Sequence, residues 1–260
     1  MINPREYGSP PFIVVVIHGG PGAAGQMRPV AQELSQFYGT LEPLQTSMSL
    51  EGQINELHSL LKKHETKPMT LIGHSWGAWL VFLYASQYSS SVKKIILVSS
   101  SPFEEHYAAQ IMTTRLNRLN EKEKIQFYIL IDGLNNQYKQ DKTKFFTDLG
   151  KLLFKTDSFN LLQYTEEEIE YRYDIFECVW NEAEKLRRNG TLLEMGKQIR
   201  CPVVAIHGDY DPHPSTGIEE PLSRIVKDFR FILLKKCGHY PWMERDAKNN
   251  FYKIIYEELQ

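Results

Sequence analysis

The run Met69-Thr70-Leu71-Ile72-Gly73-His74-Ser75-Trp76-Gly77-Ala78-Trp79-Leu80-Val81-Phe82-Leu83-Tyr84 decides how this 260-residue chain reads. Residues 69–72 form a short apolar run of strand length, and residues 76–88 carry a helical pattern. Between them stands G-x-S-x-G, at the point where strand gives way to helix. A serine on so sharp a turn is exposed, and the flanking glycines admit neighbouring backbone where a Cβ would intrude. The first N–H groups of the helix favour negative charge beside it. Glycine and serine are common in loops, so the motif alone says little; strand before and helix after make Ser75 a candidate nucleophile.

Three further motifs follow strands of their own. His18-Gly19-Gly20-Pro21-Gly22 comes directly after the β-branched run at 12–17. An acyl-transfer nucleophile needs preorganised donors for the oxyanion it creates, and the N–H groups of Gly20 and Trp76 are the candidates. A tight turn alone would also explain these glycines, and His18 reads as part of that turn. His207-Gly208-Asp209-Tyr210-Asp211-Pro212 follows the run at 202–206 and offers two candidate acids. Asp209 begins the turn, where such residues bond local backbone. Asp211, further along the loop, is better placed to reach across. Gly238-His239-Tyr240 follows the run at 231–234. Of the eight histidines only His239 follows serine, acid and last strand, which makes it the candidate base. The order Ser75, Asp211, His239 separates this chain from trypsin-like and subtilisin-like arrangements.

Strand-like runs at 12–17, 69–72 and 94–98, with a weaker one at 40–44, alternate with helical patterns at 26–38 and 50–64. Runs at 202–206 and 231–234 with helical patterns at 216–226 and 244–259 repeat the scheme. Such alternation implies right-handed crossovers and a mostly parallel sheet. Residues 103–196 differ: apolar residues there recur at helical spacing, with no β-branched run. The expected division is a core of 1–102 and 197–260 with a helical cap, 103–196, inserted over the site.

The charged fraction is 24% and the net charge −2, so no field gathers nucleic acid or an anionic membrane. No run approaches the ~20 apolar residues of a transmembrane helix. Cys178, Cys201 and Cys237 are scattered, without metal-ligand spacing. The expectation is a soluble cytoplasmic protein with reduced thiols.

These motifs make the chain resemble the α/β-hydrolases, and within them the proline iminopeptidase (prolyl aminopeptidase) branch, through His18-Gly19-Gly20-Pro21-Gly22 and Trp76 after Ser75. The resemblance covers residues 12–102 and 200–259. It implies the triad Ser75, Asp211 and His239, oxyanion donors at Gly20 and Trp76, and no metal or organic cofactor. It departs at residues 42–49, where only Ser49 matches the family's D-x-R-G-x-G-x-S loop. The short segment before residue 12 leaves no room for the family's N-terminal strand pair, so about six strands are expected.

The implied activity is hydrolysis of an ester or amide acyl bond in a small substrate, with a carboxylesterase or lactonase ahead of an aminopeptidase. A non-catalytic ligand-binding protein of the same fold is the remaining reading. Partners are accordingly a small acyl molecule or a short peptide. Tyr210, Tyr240 and Trp242, with Tyr107, are the expected aromatic pocket. Glu166, Glu167, Glu168 and Glu170 are the candidate anchor for a peptide's ammonium, or else a solvated helix face.

Overall fold

The computed structural model describes residues 3–64, 68–136, 138, 142–162 and 169–260. The strands are β1 (Arg5–Tyr7), β2 (Phe12–Ile17), β3 (Ala23–Ala24), β4 (Gly39–Glu42), β5 (Met69–His74), β6 (Val92–Val98), β7 (Glu170–Tyr171), β8 (Val203–Gly208) and β9 (Phe229–Leu234). The helices are α1 (Arg28–Leu34), α2 (Leu50–His64), α3 (Trp76–Gln87), α4 (Glu105–Ala108), α5 (Ile111–Asn117), α6 (Glu121–Asn135), α7 (Thr143–Thr156), α8 (Tyr173–Arg188), α9 (Thr191–Glu194), α10 (Thr216–Ile225) and α11 (Lys248–Leu259).

Seven strands form one sheet in the order β1-β4-β2-β5-β6-β8-β9. All neighbours are parallel except β1 against β4. The hydrophobic run of β2 explains its central place. Val15 and Ile17 face one apolar layer, with α2 and α3, while Val14 and Val16 face the other, with α1 and α11. A strand buried on both faces carries no polar alternation. The same logic makes α3 apolar all round: residues 76 to 85 are all buried.

The seventh strand is one more than expected. Three residues with no apolar alternation do not read as a strand, but Arg5 and Tyr7 bond the Glu42 carboxylate, at 3.3 and 2.7 Å. Glu42 has no exposed surface, and burial raises its pKa against the pull of Tyr7 and Arg5. Partners for a buried acid thus hold β1 on the edge. Elsewhere β4 ends at Glu42, before Pro43, and α1 is shorter than the pattern at 26–38.

Between β6 and β8 the elements of the described residues are helices apart from β7, which pairs antiparallel with β3. Leu119, Phe127, Leu130, Leu134, Leu149 and Leu152 give α6 and α7 a small core of their own. Trp180 of α8 stacks on Trp79 of α3, with ring centroids 5.5 Å apart. No described helix is long and apolar enough to cross a membrane.

Candidate active site

Ser75 stands between β5 and α3 with φ 54° and ψ −113°, a backbone region costly to any side chain. The glycines of the motif explain why the turn is attainable. A Cβ on Gly73 would lie 2.1 Å from the Gly77 carbonyl oxygen, and one on Gly77 would lie 2.4 Å from that of Ile17. The Ser75 N–H donates to the Val98 carbonyl (2.9 Å), which ties the turn to β6.

The loop after β2 lies beside it. Gly20 takes a positive φ of 33°, while Gly19 is glycine for room: a Cβ there would come within 2.8 Å of His74 Nδ1. His18 is buried and held down to about 4 by that burial. The Gln45 N–H donates to its Nε2 (3.4 Å), so Nδ1 carries the proton and donates to the Gly19 carbonyl (3.0 Å). This histidine shapes the turn, as its position suggested.

The two aspartates after β8 take different surroundings. Asp209 accepts from the Cys237 backbone N–H at 3.3 Å, so its partner lies on the loop after β9 and not in its own turn as expected. Asp211 is buried and accepts from His239 Nδ1 at 2.7 Å. Burial alone would raise its carboxyl, but His239, His213 and His207 around it hold it well below the usual carboxylate range. An ionised carboxylate only accepts, so Nδ1 of His239 carries the proton and Nε2 is left with a lone pair.

Ser75, His239, Gly20 and Trp76 line one cavity of about 560 Å³. Its other wall comes from α5, α6, α7 and α8, with Met112, Leu134, Phe146, Leu153, Phe176 and Trp180 among the residues that line it. Among the described residues four charged side chains line it, and each acid meets a guanidinium. Arg115 Nε lies 2.9 Å from Asp157 Oδ1, and Arg187 Nη2 lies 3.1 Å from Glu184.

Of the expected aromatic pocket, Tyr240 does line the cavity. Tyr210 and Trp242 do not, because other partners claim them. The Tyr210 ring packs on Phe159 and under Arg118, whose guanidinium carbon lies 3.6 Å from its centroid. Trp242 is buried behind the site, edge-on to His74 at 4.7 Å. Tyr107 instead bonds Glu220. Glu166, Glu167 and Glu168 lie outside the described residues, and Glu170 is exposed in β7.

Several supporting residues carry no sequence motif. Glu244 is fully buried and accepts from three backbone N–H groups: Phe159 (2.7 Å) and Gly238 (2.9 Å) on Oε1, Asn160 (2.7 Å) on Oε2. The Asp157 carbonyl accepts from the His239 N–H at 2.7 Å. Arg118 donates to the Tyr210 carbonyl at 2.8 Å, and the Arg172 N–H donates to that of Gly22 at 2.8 Å. Their sequence neighbours are ordinary helix and loop residues, and only the tertiary fold brings them to the site.

Comparison with known proteins places the chain. The family model described as alpha/beta hydrolase fold matches residues 13–246. The chain is 24% identical over 221 residues to a monoacylglycerol lipase of Mus musculus, covering 84% of this chain and 64% of that protein. It therefore spans less than two thirds of that relative's length. It is 25% identical over 253 residues to a proline iminopeptidase of Heyndrickxia coagulans, covering 89% and 85% of the two chains. Among solved structures, a monoacylglycerol lipase of Paleococcus ferrophilus superposes with a TM-score of 0.63 at 14% identity, over 98% of this chain and 97% of that one. At that identity the likeness is one of fold.

Proposed function

The chain belongs to the α/β-hydrolase fold family, and from that premise we propose that it is a serine hydrolase acting through an acyl-enzyme. Ser75 attacks the carbonyl carbon of an ester or amide. His239 Nε2 takes the serine proton and delivers it to the leaving group, while ionised Asp211 steadies the imidazolium. The N–H groups of Gly20 and Trp76 receive the oxyanion. Water then repeats the sequence on the acyl-enzyme. The observation that carries this reading is Ser75 on its strained turn, lining the same cavity as a histidine whose far nitrogen bonds a buried carboxylate.

The preferred substrate is a small uncharged acyl ester or lactone. The cavity's acids are each matched by a guanidinium, and the rest of the cap wall is largely apolar. Among the described residues, an ammonium brought into such a site would be desolvated without a free carboxylate to meet it, which is costly. The iminopeptidase reading rests on the relative of that name and on His18-Gly19-Gly20-Pro21-Gly22. The segment 103–196 acts in this scheme as a cap that selects the acyl group.

A panel of acyl esters, lactones and aminoacyl anilides, run on the protein and on Ser75→Ala, tests both levels. Turnover of short esters that vanishes in the variant is the expected result. Rapid release of proline from a prolyl anilide, with esters left intact, would reverse the ranking of substrates. Equal turnover by the Ser75→Ala protein would remove Ser75 from the mechanism.

A further inference from the structure

Asp211 receives two imidazoles. His239 Nδ1 lies 2.7 Å from Oδ2, and His213 Nδ1 lies 2.7 Å from Oδ1. The two rings stack, with centroids 4.6 Å apart and planes 28° from parallel. The His213 backbone N–H also donates to Oδ1 (2.9 Å). Behind them His207 Nε2 donates to the His213 carbonyl at 2.8 Å and stays 3.6 Å from Oδ2. All three histidines are buried. Because a carboxylate offers only acceptors, both Nδ1 atoms carry protons, one on each oxygen.

A carboxylate held through one oxygen is free to rotate about its terminal torsion, which is a soft one. It would also direct its whole charge at a single partner. The His213 backbone N–H on the other oxygen restricts the rotation, and the ring N–H on that same oxygen strengthens the restraint and draws off charge. We propose that His213 is a positioning residue of the catalytic machinery: beside its backbone N–H, its Nδ1–H adds a second restraint on Oδ1 of Asp211 and shares the carboxylate's charge, so that His239 is held in its orientation by a carboxylate fixed at both oxygens. The proposal rests on the reading of Ser75, His239 and Asp211 as a triad.

The surroundings suit a donor that does not ionise. His213 faces Asp211 and His207 from the β8 end, His239 from the loop after β9, and Arg115 from α5. Burial lowers His213 to about 4 against the opposing pull of Asp211. At neutral pH it is therefore a neutral N–H donor, and a base only at its far nitrogen.

The test compares His213→Leu, which fills the volume without a donor, with His213→Asn, which restores an N–H. Rates are normalised by active-site titration with a fluorophosphonate, so that a poorly folded fraction does not count. With its charge no longer shared, Asp211 draws a proton onto His239 more strongly. The acid limb of kcat/KM should then move upward by about half to one pH unit in the leucine variant, and plateau kcat should fall about tenfold. The asparagine variant should return the limb to its wild-type position, a rescue that mere packing would not give.

A leucine variant with the wild-type limb, or an asparagine variant no better than leucine, overturns the proposal. Proton NMR of the wild-type protein gives a reading that needs no leucine variant. Two downfield imidazole N–H signals should vanish together in Asp211→Asn; loss of only one would sink the idea. If the wild-type protein takes up no fluorophosphonate, the triad reading has failed first, and the two failures are thereby told apart.

Discussion

Replacing Glu244 separates a fastening role from ordinary burial. Its carboxylate holds Gly238, beside His239, to Phe159 and Asn160. Glu244→Gln keeps one acceptor oxygen, which belongs at the Oε1 position because two N–H groups converge there. The amide NH₂ then faces the Asn160 N–H, leaving that donor unpaired. An unsatisfied buried donor costs about 1–3 kcal/mol, and hydrogen bonds to a neutral acceptor are weaker by about 1 kcal/mol each. The glutamine variant should thus lose about 3–5 kcal/mol. Glu244→Ala strands three donors and should lose more, up to about 9 kcal/mol before water recovers part of the deficit. In a chain of this size each kcal/mol lowers Tm by roughly 2–4 °C. Urea unfolding followed by circular dichroism gives both numbers. Activity should follow the same order, since His239 rides on the loosened loop. A glutamine variant within 1 kcal/mol of wild type, at unchanged denaturant slope, would refute this assignment of Glu244.

Ser75→Gly should unfold at higher temperature than wild type while losing turnover, because glycine accepts φ 54° without strain; a lower Tm would count against the strained elbow. Asp211→Asn should cost roughly ten-thousandfold in kcat, whereas Asp209→Asn should mainly affect stability; steady-state kinetics showing the reverse ranking would move the acid to Asp209. The pH dependence of stability has a defined sign. His18 and His213 are lowered to about 4, and His74 and His207 are also lowered, all chiefly by burial, so the unfolded chain binds protons that the folded chain refuses. Stability should be full above about pH 6.5 and fall toward pH 4, by roughly 1.4 kcal/mol per group per pH unit across that window. Asp211, whose carboxyl is depressed in the fold, adds a further loss once pH drops below the ordinary carboxylate range near 4. Urea midpoints that do not change between pH 7.5 and 5 would contradict this.

Much of the sheet is legible in the chain because doubly buried strands must be β-branched runs, and Phe12-Ile13-Val14-Val15-Val16-Ile17 has no other reading. The turn at Ser75 is legible for a related reason: Gly73 and Gly77 face backbone oxygens at 2.1 and 2.4 Å from a would-be Cβ, so the motif records a steric demand. What escapes the sequence depends on partners far along the chain. Arg5–Tyr7 becomes a strand because of Glu42, and Glu244 finds its amides some 84 residues away at Asn160. Tyr210 and Trp242 were aromatic and near the site in sequence, yet Arg118 and His74 take them elsewhere. His213 stood in view beside Asp211, but periodicity has nothing to say about which ring a carboxylate holds.

The inserted segment 103–196 touches each of the three loops that flank Ser75, and it does so largely through main chain. Arg172 N–H reaches Gly22, the Asp157 carbonyl receives His239, and Arg118 reaches the carbonyl of Tyr210. Two of these three bonds are backbone to backbone and do not depend on side-chain identity. The cavity-facing side chains are thereby freed to vary. A chimaera carrying foreign helices over this sheet would keep its chemistry only if it preserved those mooring points, whatever residues it presented to the substrate. Conversely, excising the segment would not yield a smaller, more open catalyst. It would leave the glycine loop, the acid loop and the histidine loop each without its anchorage to that segment.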